Sequence, residues 1–286
     1  MLTNTLALLS LLASLASAVP APIYPGFKLV WSDSFPGHAG QMPNSDKWKL
    51  ITNLNTNNDV QNYTTAPENL QLSGGSTLQL VPHKNPATGK WTSARVETHA
   101  AFTPAPGKVT QVEAAIRSGD SAAHARQGMW PAFWMLGESV RHGTGWPMCG
   151  ELDIMETVNG LPMSYGTVHC GEKGAGGPCN EPVGRGATVG LEDFGWHTWA
   201  LQVDRTNTAG GWRGEVIRWL KDGKAFWELS GDAVGVEGVW GTLAHSPMFV
   251  ILNVAVGGDW PGGPDRATAG SYGSMMEVEY VAVYTT

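Results

Sequence analysis

Gly150-Glu151-Leu152-Asp153-Ile154-Met155-Glu156 places three carboxylates within six residues of a segment otherwise apolar enough to be a buried strand. A strand alternates its faces, so Glu151, Asp153 and Met155 share one side while Leu152, Ile154 and Glu156 share the other. Kept regular, that alternation drives Glu156 into the core. One extra residue near Ile154-Met155, opposed to a single residue on the neighbouring strand, resets the phase and returns Glu156 to the side of Glu151 and Asp153. Bulges of this kind are over-represented beside active sites. The expectation is a row of three acids on one face. Like charges in a row destabilise a sheet, so the row is expected to serve a site rather than to be a solvated acidic strand.

Two glutamates on one face with a third acid between them are the equipment of retaining glycoside hydrolysis. One attacks the anomeric carbon. The other, its pKa raised by neighbouring negative charge, protonates the leaving oxygen and later deprotonates water. Asp153 is placed to hydrogen-bond to Glu151 and to share in the proton traffic.

At these residues the sequence resembles glycoside hydrolase family 16, in its laminarinase-like branch, whose signature is Glu-x-Asp-x-x-Glu with the bulge residue present. Lichenases and xyloglucan transglycosylases of that family typically lack it. The resemblance continues through Trp31-Ser32-Asp33, Ser93-Ala94-Arg95, Trp130-Pro131-Ala132-Phe133-Trp134, Gly166-Thr167-Val168-His169 and Val281-Ala282-Val283-Tyr284, in the family's order over residues 23 to 286. It implies an all-β fold, an antiparallel β-sandwich of the jelly-roll type with a sugar cleft across its concave sheet, and an endo-acting enzyme with Glu151 as nucleophile and Glu156 as acid/base.

Composition agrees. At 286 residues the chain fits one all-β sandwich domain, and 15% charged residues with 37 Gly and 18 Pro favour short strands joined by turns over helices. Thr77 to Val81, Val109 to Ile116 and Met276 to Tyr284 alternate as strands with one wet face. Pro82 to Gly89, Arg117 to His124, Gly171 to Gly190 and Gly257 to Gly273 are the turn-rich connections. A net charge of -7 argues against a nucleic-acid partner. The 13 Trp suit sugar binding, where an indole face stacks and the N–H finds a polar partner.

Residues 1 to 18 read as a secretory signal: an apolar run from Leu6 to Leu15 precedes Ala16-Ser17-Ala18, a small-x-small cleavage pattern, although the n-region carries no Lys or Arg. The mature chain is expected to start at Val19, to form one catalytic domain over 19–286, and to be a secreted, extracellular monomer. The run is too short to span a bilayer, so no membrane association is expected. In that oxidising setting Cys170 and Cys179 flank a Gly-rich loop able to close on itself and are paired as a disulfide. Cys149 is left as a small buried hydrophobe, and the spacing fits no zinc site.

The resemblance places further residues in the cleft. Trp146 and Trp134 match positions lining the subsites next to the cut bond, with core packing as the alternative for each. His169, on the strand beside the acidic one, is expected to bond to Glu156 or to substrate and to help tune the acid/base. Arg95 matches a contact to sugar hydroxyls, against an ion pair on the sheet. Trp260 falls on a loop at the far end. Gln61 and Asn62 are candidate sugar contacts, and Asn62 doubles as a glycosylation acceptor in Asn62-Tyr63-Thr64. No Gly-x-Ser-x-Gly, His-Glu-x-x-His or post-strand Gly-x-Gly-x-x-Gly motif offers another chemistry.

The mechanism needs no cofactor. The resemblance allows a structural calcium on the convex side near the chain ends, where Glu279 stands at a position often Asp in relatives. The expected substrate is a β-1,3 or mixed β-1,3/1,4 glucan. An endo-β-1,3-galactanase is the alternative within enzymes, because resemblance fixes reaction type better than the orientation of one hydroxyl. A sandwich that binds carbohydrate without catalysis, and a wall-building transglycosylase, are the remaining readings.

Overall fold

The computed structural model describes residues 19–286, so the expected signal segment lies outside the described residues. Two antiparallel sheets pack face to face as a jelly-roll sandwich. The seven-stranded sheet runs in the order Arg185–Gly190, Met163–His169, Glu151–Glu156, Met129–Gly137, Met248–Val256, Arg95–Phe102, Trp48–Leu50. The eight-stranded sheet runs Lys224–Ser230, Val216–Lys221, His197–Asp204, Val109–Ser118, Met276–Thr285, Leu78–Leu80, Leu70–Leu72, with Lys28–Asp33 paired beside Met276–Thr285. A small third sheet contains, among the described residues, the one parallel pair, Gln61–Tyr63 beside Trp91–Ser93. Among the described residues the α-helices are two short ones, Gly231–Val234 and Glu237–Ala244. None is long and apolar enough to cross a membrane.

The core lies between the sheets and comes from alternate residues of both. Phe133, Leu152, Ile154, Met155, Val168 and Leu252 of one sheet meet Val112, Ile116, Trp199, Leu201, Trp219 and Val281 of the other in one cluster. Each such side chain contributes roughly 1.5–3 kcal/mol by leaving water. Placing these residues inward leaves Glu151, Trp134 and Asn253 on the opposite, open face of the seven-stranded sheet.

Two strand expectations need correction. Val109–Ser118 and Met276–Thr285 have no wet face, being buried on both sides over most of their length. The N-terminal segment covers their outer side: Ala21, Tyr24 and Phe27 pack on Ala115, Tyr280, Ala282 and Tyr284. There the buried Glu113 carboxylate accepts from Tyr24, Tyr280 and Gln111. The stretch from Gly171 to Gly190 is not all loop, since Arg185–Gly190 pairs with Met163–His169 as an edge strand.

Candidate active site

The acidic strand carries the expected bulge. Asp153 stands opposite Trp134 and Met155 opposite the adjacent Phe133, which leaves Ile154 as the extra residue. On the other side, Asp153 pairs with Thr167 and Glu156 with Tyr165, so three residues are spent against two. Ile154 and Met155 therefore both enter the core. Glu156, opposite Ala132, returns to the face of Glu151, Asp153 and Trp134.

On that open face the acids are distinguished by their neighbours. Glu156 accepts a hydrogen bond from Trp130 Nε1 at 2.8 Å. Burial raises its pKa to about 7, with the charge of Glu151 adding and Trp130 and His169 opposing. Burial also raises Glu151, but His169, the Trp146 indole and Arg95 all pull it back. Asp153 is pushed well above the ordinary range, first by burial and then by the charges of Glu156, Glu151 and Glu181. All three are raised by burial, but Glu151 alone has a histidine, an indole and a guanidinium opposing the rise, an environmental difference of the kind that separates an acid from a nucleophile.

Most of the expected binding residues are gathered around this row. Trp146 is 37% exposed. Its ring lies 5.3 Å from that of His169, with Lys173 Nζ 5.3 Å from the indole on another side. Trp134 is half-buried on the face, its Nε1 donating to Asn253 Oδ1 at 2.7 Å. Trp260 is not at the far end. It meets Trp130 edgewise at 5.4 Å and Tyr165 at 4.9 Å, one ring away from Glu156, because the loop after Met248–Val256 folds back over the strand carrying Trp130.

Three expectations shift. His169 does not bond to Glu156: as the partner of Glu151 across the ladder, it turns Nε2 toward Glu151 Oε1 at 3.9 Å and Asp153 Oδ2 at 3.7 Å, while Nδ1 lies 2.8 Å from Glu181. Arg95 realises the ion-pair alternative. It is buried, bonds to Glu97 at 2.8 and 3.1 Å, and lays its guanidinium 4.8 Å from the Trp134 ring. Gln61 is a buried structural residue, bonding Asp59 and the Val256 N–H, whereas Asn62 is exposed and open to a glycan.

Cys170 and Cys179 form the expected disulfide, and Cys149 is a free, buried thiol in an apolar cluster, its pKa pushed to about 11 by burial and by Glu151. Among the described residues, the grouping of three His, Cys, Asp or Glu side chains close enough to share an ion is Glu151, Asp153 and His169, two acids of the row and the histidine beside them. Glu279 is not part of that grouping.

Two residues of the site were not singled out from sequence. Trp130 was legible in principle, since it precedes Trp134 by four residues, an even spacing, on the same strand and so shares its face. Glu181 carried no signal in a loop rich in Gly and Pro.

A family model described as "XgeA-like, catalytic GH16 domain" matches residues 57–191. The chain is 30% identical over 273 residues to a beta-glucanase of Rhodothermus marinus, covering 91% of this chain and 86% of that one. It is 30% identical to a glucan endo-1,3-beta-glucosidase of Cryptopygus antarcticus, covering 90% and 92% respectively. The crystal structure of an endo-1,3-beta-glucanase from Streptomyces sioyaensis superposes with a TM-score of 0.85 at 35% identity, over 94% of this chain and 99% of that chain.

Proposed function

The chain belongs to glycoside hydrolase family 16, in its laminarinase-like branch, and from that premise we propose that it is an endo-acting β-glucanase cleaving β-1,3 or mixed β-1,3/1,4 glucan with retention at the anomeric carbon. The observation that carries the reading is the bulge at Ile154, which turns Glu156 onto the face of Glu151 while Glu156 alone accepts the Trp130 N–H.

In this reading Glu151 Oε attacks the anomeric carbon as the bond to the leaving oxygen breaks, and Glu156 gives its proton to that oxygen. Water then enters. Glu156, now a carboxylate, takes its proton as the water oxygen displaces Glu151 and restores the starting configuration. Asp153, its carboxyl pushed well above the ordinary range by burial and by its acidic neighbours, lies beside Glu151 and favours holding a proton there as the glycosyl-enzyme forms and breaks. Trp146 on the Glu151 side and Trp260 on the Glu156 side offer exposed indoles to flanking sugars.

The names of the relatives support a glucan substrate. The leader-like first 18 residues support export, and a soluble extracellular monomer acting on polysaccharide fits both. Product analysis on laminarin, lichenan and β-1,3-galactan tests the reading. Oligosaccharides released from laminarin support it. Release from galactan alone would make the chain a galactanase, and binding without release from any of the three would leave a carbohydrate-binding sandwich.

A further inference from the structure

His169 is held from behind. Its Nδ1 lies 2.8 Å from Glu181 Oε2, and the other oxygen of that carboxylate accepts the Cys170 N–H at 2.8 Å. The Glu181 side chain has no solvent exposure. It reaches both partners from two residues beyond Cys179, just outside the loop that the Cys170–Cys179 disulfide closes.

A carboxylate only accepts, so the ring nitrogen facing it carries the hydrogen. That leaves Nε2 as the edge turned to Glu151 and Asp153. The ring has little freedom to choose otherwise. Trp146 packs against it on one side. On another, the Gly184 backbone (φ +80) comes so close that a Cβ there would meet His169 Cε1 at 2.8 Å and Nε2 at 3.0 Å. Glu181 touches no reacting atom.

We propose, on the reading that Glu151 and Glu156 perform retaining hydrolysis, that Glu181 is a positioning residue: from just beyond the disulfide-closed loop it fixes the tautomer and direction of His169, and with them the edge this histidine presents to Glu151 and Asp153. The charged groups around His169 are Glu151, Asp153 and Glu156 from the acidic strand, Glu181 from the loop, Lys173 beyond the Trp146 ring, and Arg95 farther along the sheet. The segment just beyond the disulfide-closed loop is thereby part of the site and not a mere connection.

Glu181→Gln tests this directly, because an amide has one accepting and one donating edge. The Cys170 N–H cannot stop donating, so the amide oxygen must face it and the amide nitrogen must face His169. The imidazole then accepts at Nδ1 and carries its hydrogen at Nε2. Histidine-selective ¹⁵N NMR at alkaline pH, where the ring holds one proton, should show this switch at His169. Turnover should fall about 10- to 100-fold with KM little changed, as for other misoriented catalytic groups.

The acidic limb of the pH–rate profile should also move to lower pH, because a charge that raises Glu151 and Asp153 has gone. A Cys170→Ser/Cys179→Ser double variant should lose turnover while its acidic limb stays in place, since the carboxylate remains. Wild-type tautomer, turnover and pH profile in Glu181→Gln would overturn the proposal, as would a drop in folded fraction with unchanged turnover per folded molecule. The NMR arm needs no substrate, so failure of the glucanase reading would be seen separately, in the wild type.

Discussion

The indole Nε1 of Trp219 donates to the carbonyl oxygen of Asp153 at 2.8 Å, joining the eight-stranded sheet to the acidic strand at the residue immediately before the register slip. A bulge disrupts the ladder locally, and a carbonyl left unpaired in a dry core is costly. Trp219 is fully buried and meets that need from the opposite sheet. It fits because residue 166 is glycine: a Cβ there would stand 2.6 Å from Trp219 Cδ1. Gly166, Trp219 and the bulge form one device that delivers Glu156 to the open face.

Trp219→Phe should therefore leave the Asp153 carbonyl unsatisfied and cost on the order of 1–3 kcal/mol. Denaturant unfolding is expected to show a lower midpoint, and turnover per folded molecule should also fall because the bulge sets the place of Glu156. Gly166→Ala should act in the same direction by displacing the indole. An unchanged midpoint in Trp219→Phe would show that the bulge stands without this bond.

In the proposed mechanism the protonated form of Glu156 starts the reaction, and burial raises its pKa to about 7. The alkaline limb of kcat/KM should accordingly fall through about pH 7. The Trp130 hydrogen bond lowers this pKa, so Trp130→Phe should move the alkaline limb to higher pH. A shift to lower pH would place the titration on another group.

The same raised pKa has a stability consequence of defined sign. Between the ordinary carboxylate value of 4.5 and about 7, Glu156 keeps its proton in the native state and loses it in the unfolded state. The native state then binds more protons, so stability declines as pH rises through this window, by up to about 3 kcal/mol from this one group. Glu156→Gln should be inactive yet raise Tm at pH 8, with its advantage shrinking toward pH 4.5. Equal Tm differences at both pH values would contradict this.

Trp146→Ala should weaken laminarin hydrolysis several-fold, matching the roughly 0.5–1.5 kcal/mol of specific contact expected of a stacked indole. Its midpoint should stay near wild type because the residue is 37% exposed. A fall of about 3–5 kcal/mol in stability, as for a core aromatic, with efficiency per folded molecule unchanged, would remove Trp146 from the site.

The acidic row was legible because Glu151, Asp153 and Glu156 break the two-residue period in a way that a single inserted residue repairs. Sequence pattern could reach Cys170–Cys179 for a similar reason, since two cysteines bracket a short flexible loop. Arg95 was harder: whether a guanidinium meets a sugar or the carboxylate two residues on depends on burial, and burial of Glu97 does not follow from alternation alone. The cover over Val109–Ser118 and Met276–Thr285 was hidden because Ala21 to Phe27 has no periodic pattern. Glu181 was hidden because its partner depends on how the loop closes. Such long-range side-chain pairs leave no mark on local spacing.

The most direct test of the two glutamates' roles is azide rescue with an activated aryl β-glycoside, which needs little protonation. Glu156→Ala should still form the glycosyl-enzyme, and azide should speed its turnover to give a product of retained configuration. Glu151→Ala has no nucleophile, so azide should enter directly and give the inverted product. Proton NMR of the two glycosyl azides reads the outcome. The opposite pattern, with inversion from Glu156→Ala and retention from Glu151→Ala, would contradict the assignment of Glu151 as nucleophile and Glu156 as acid/base.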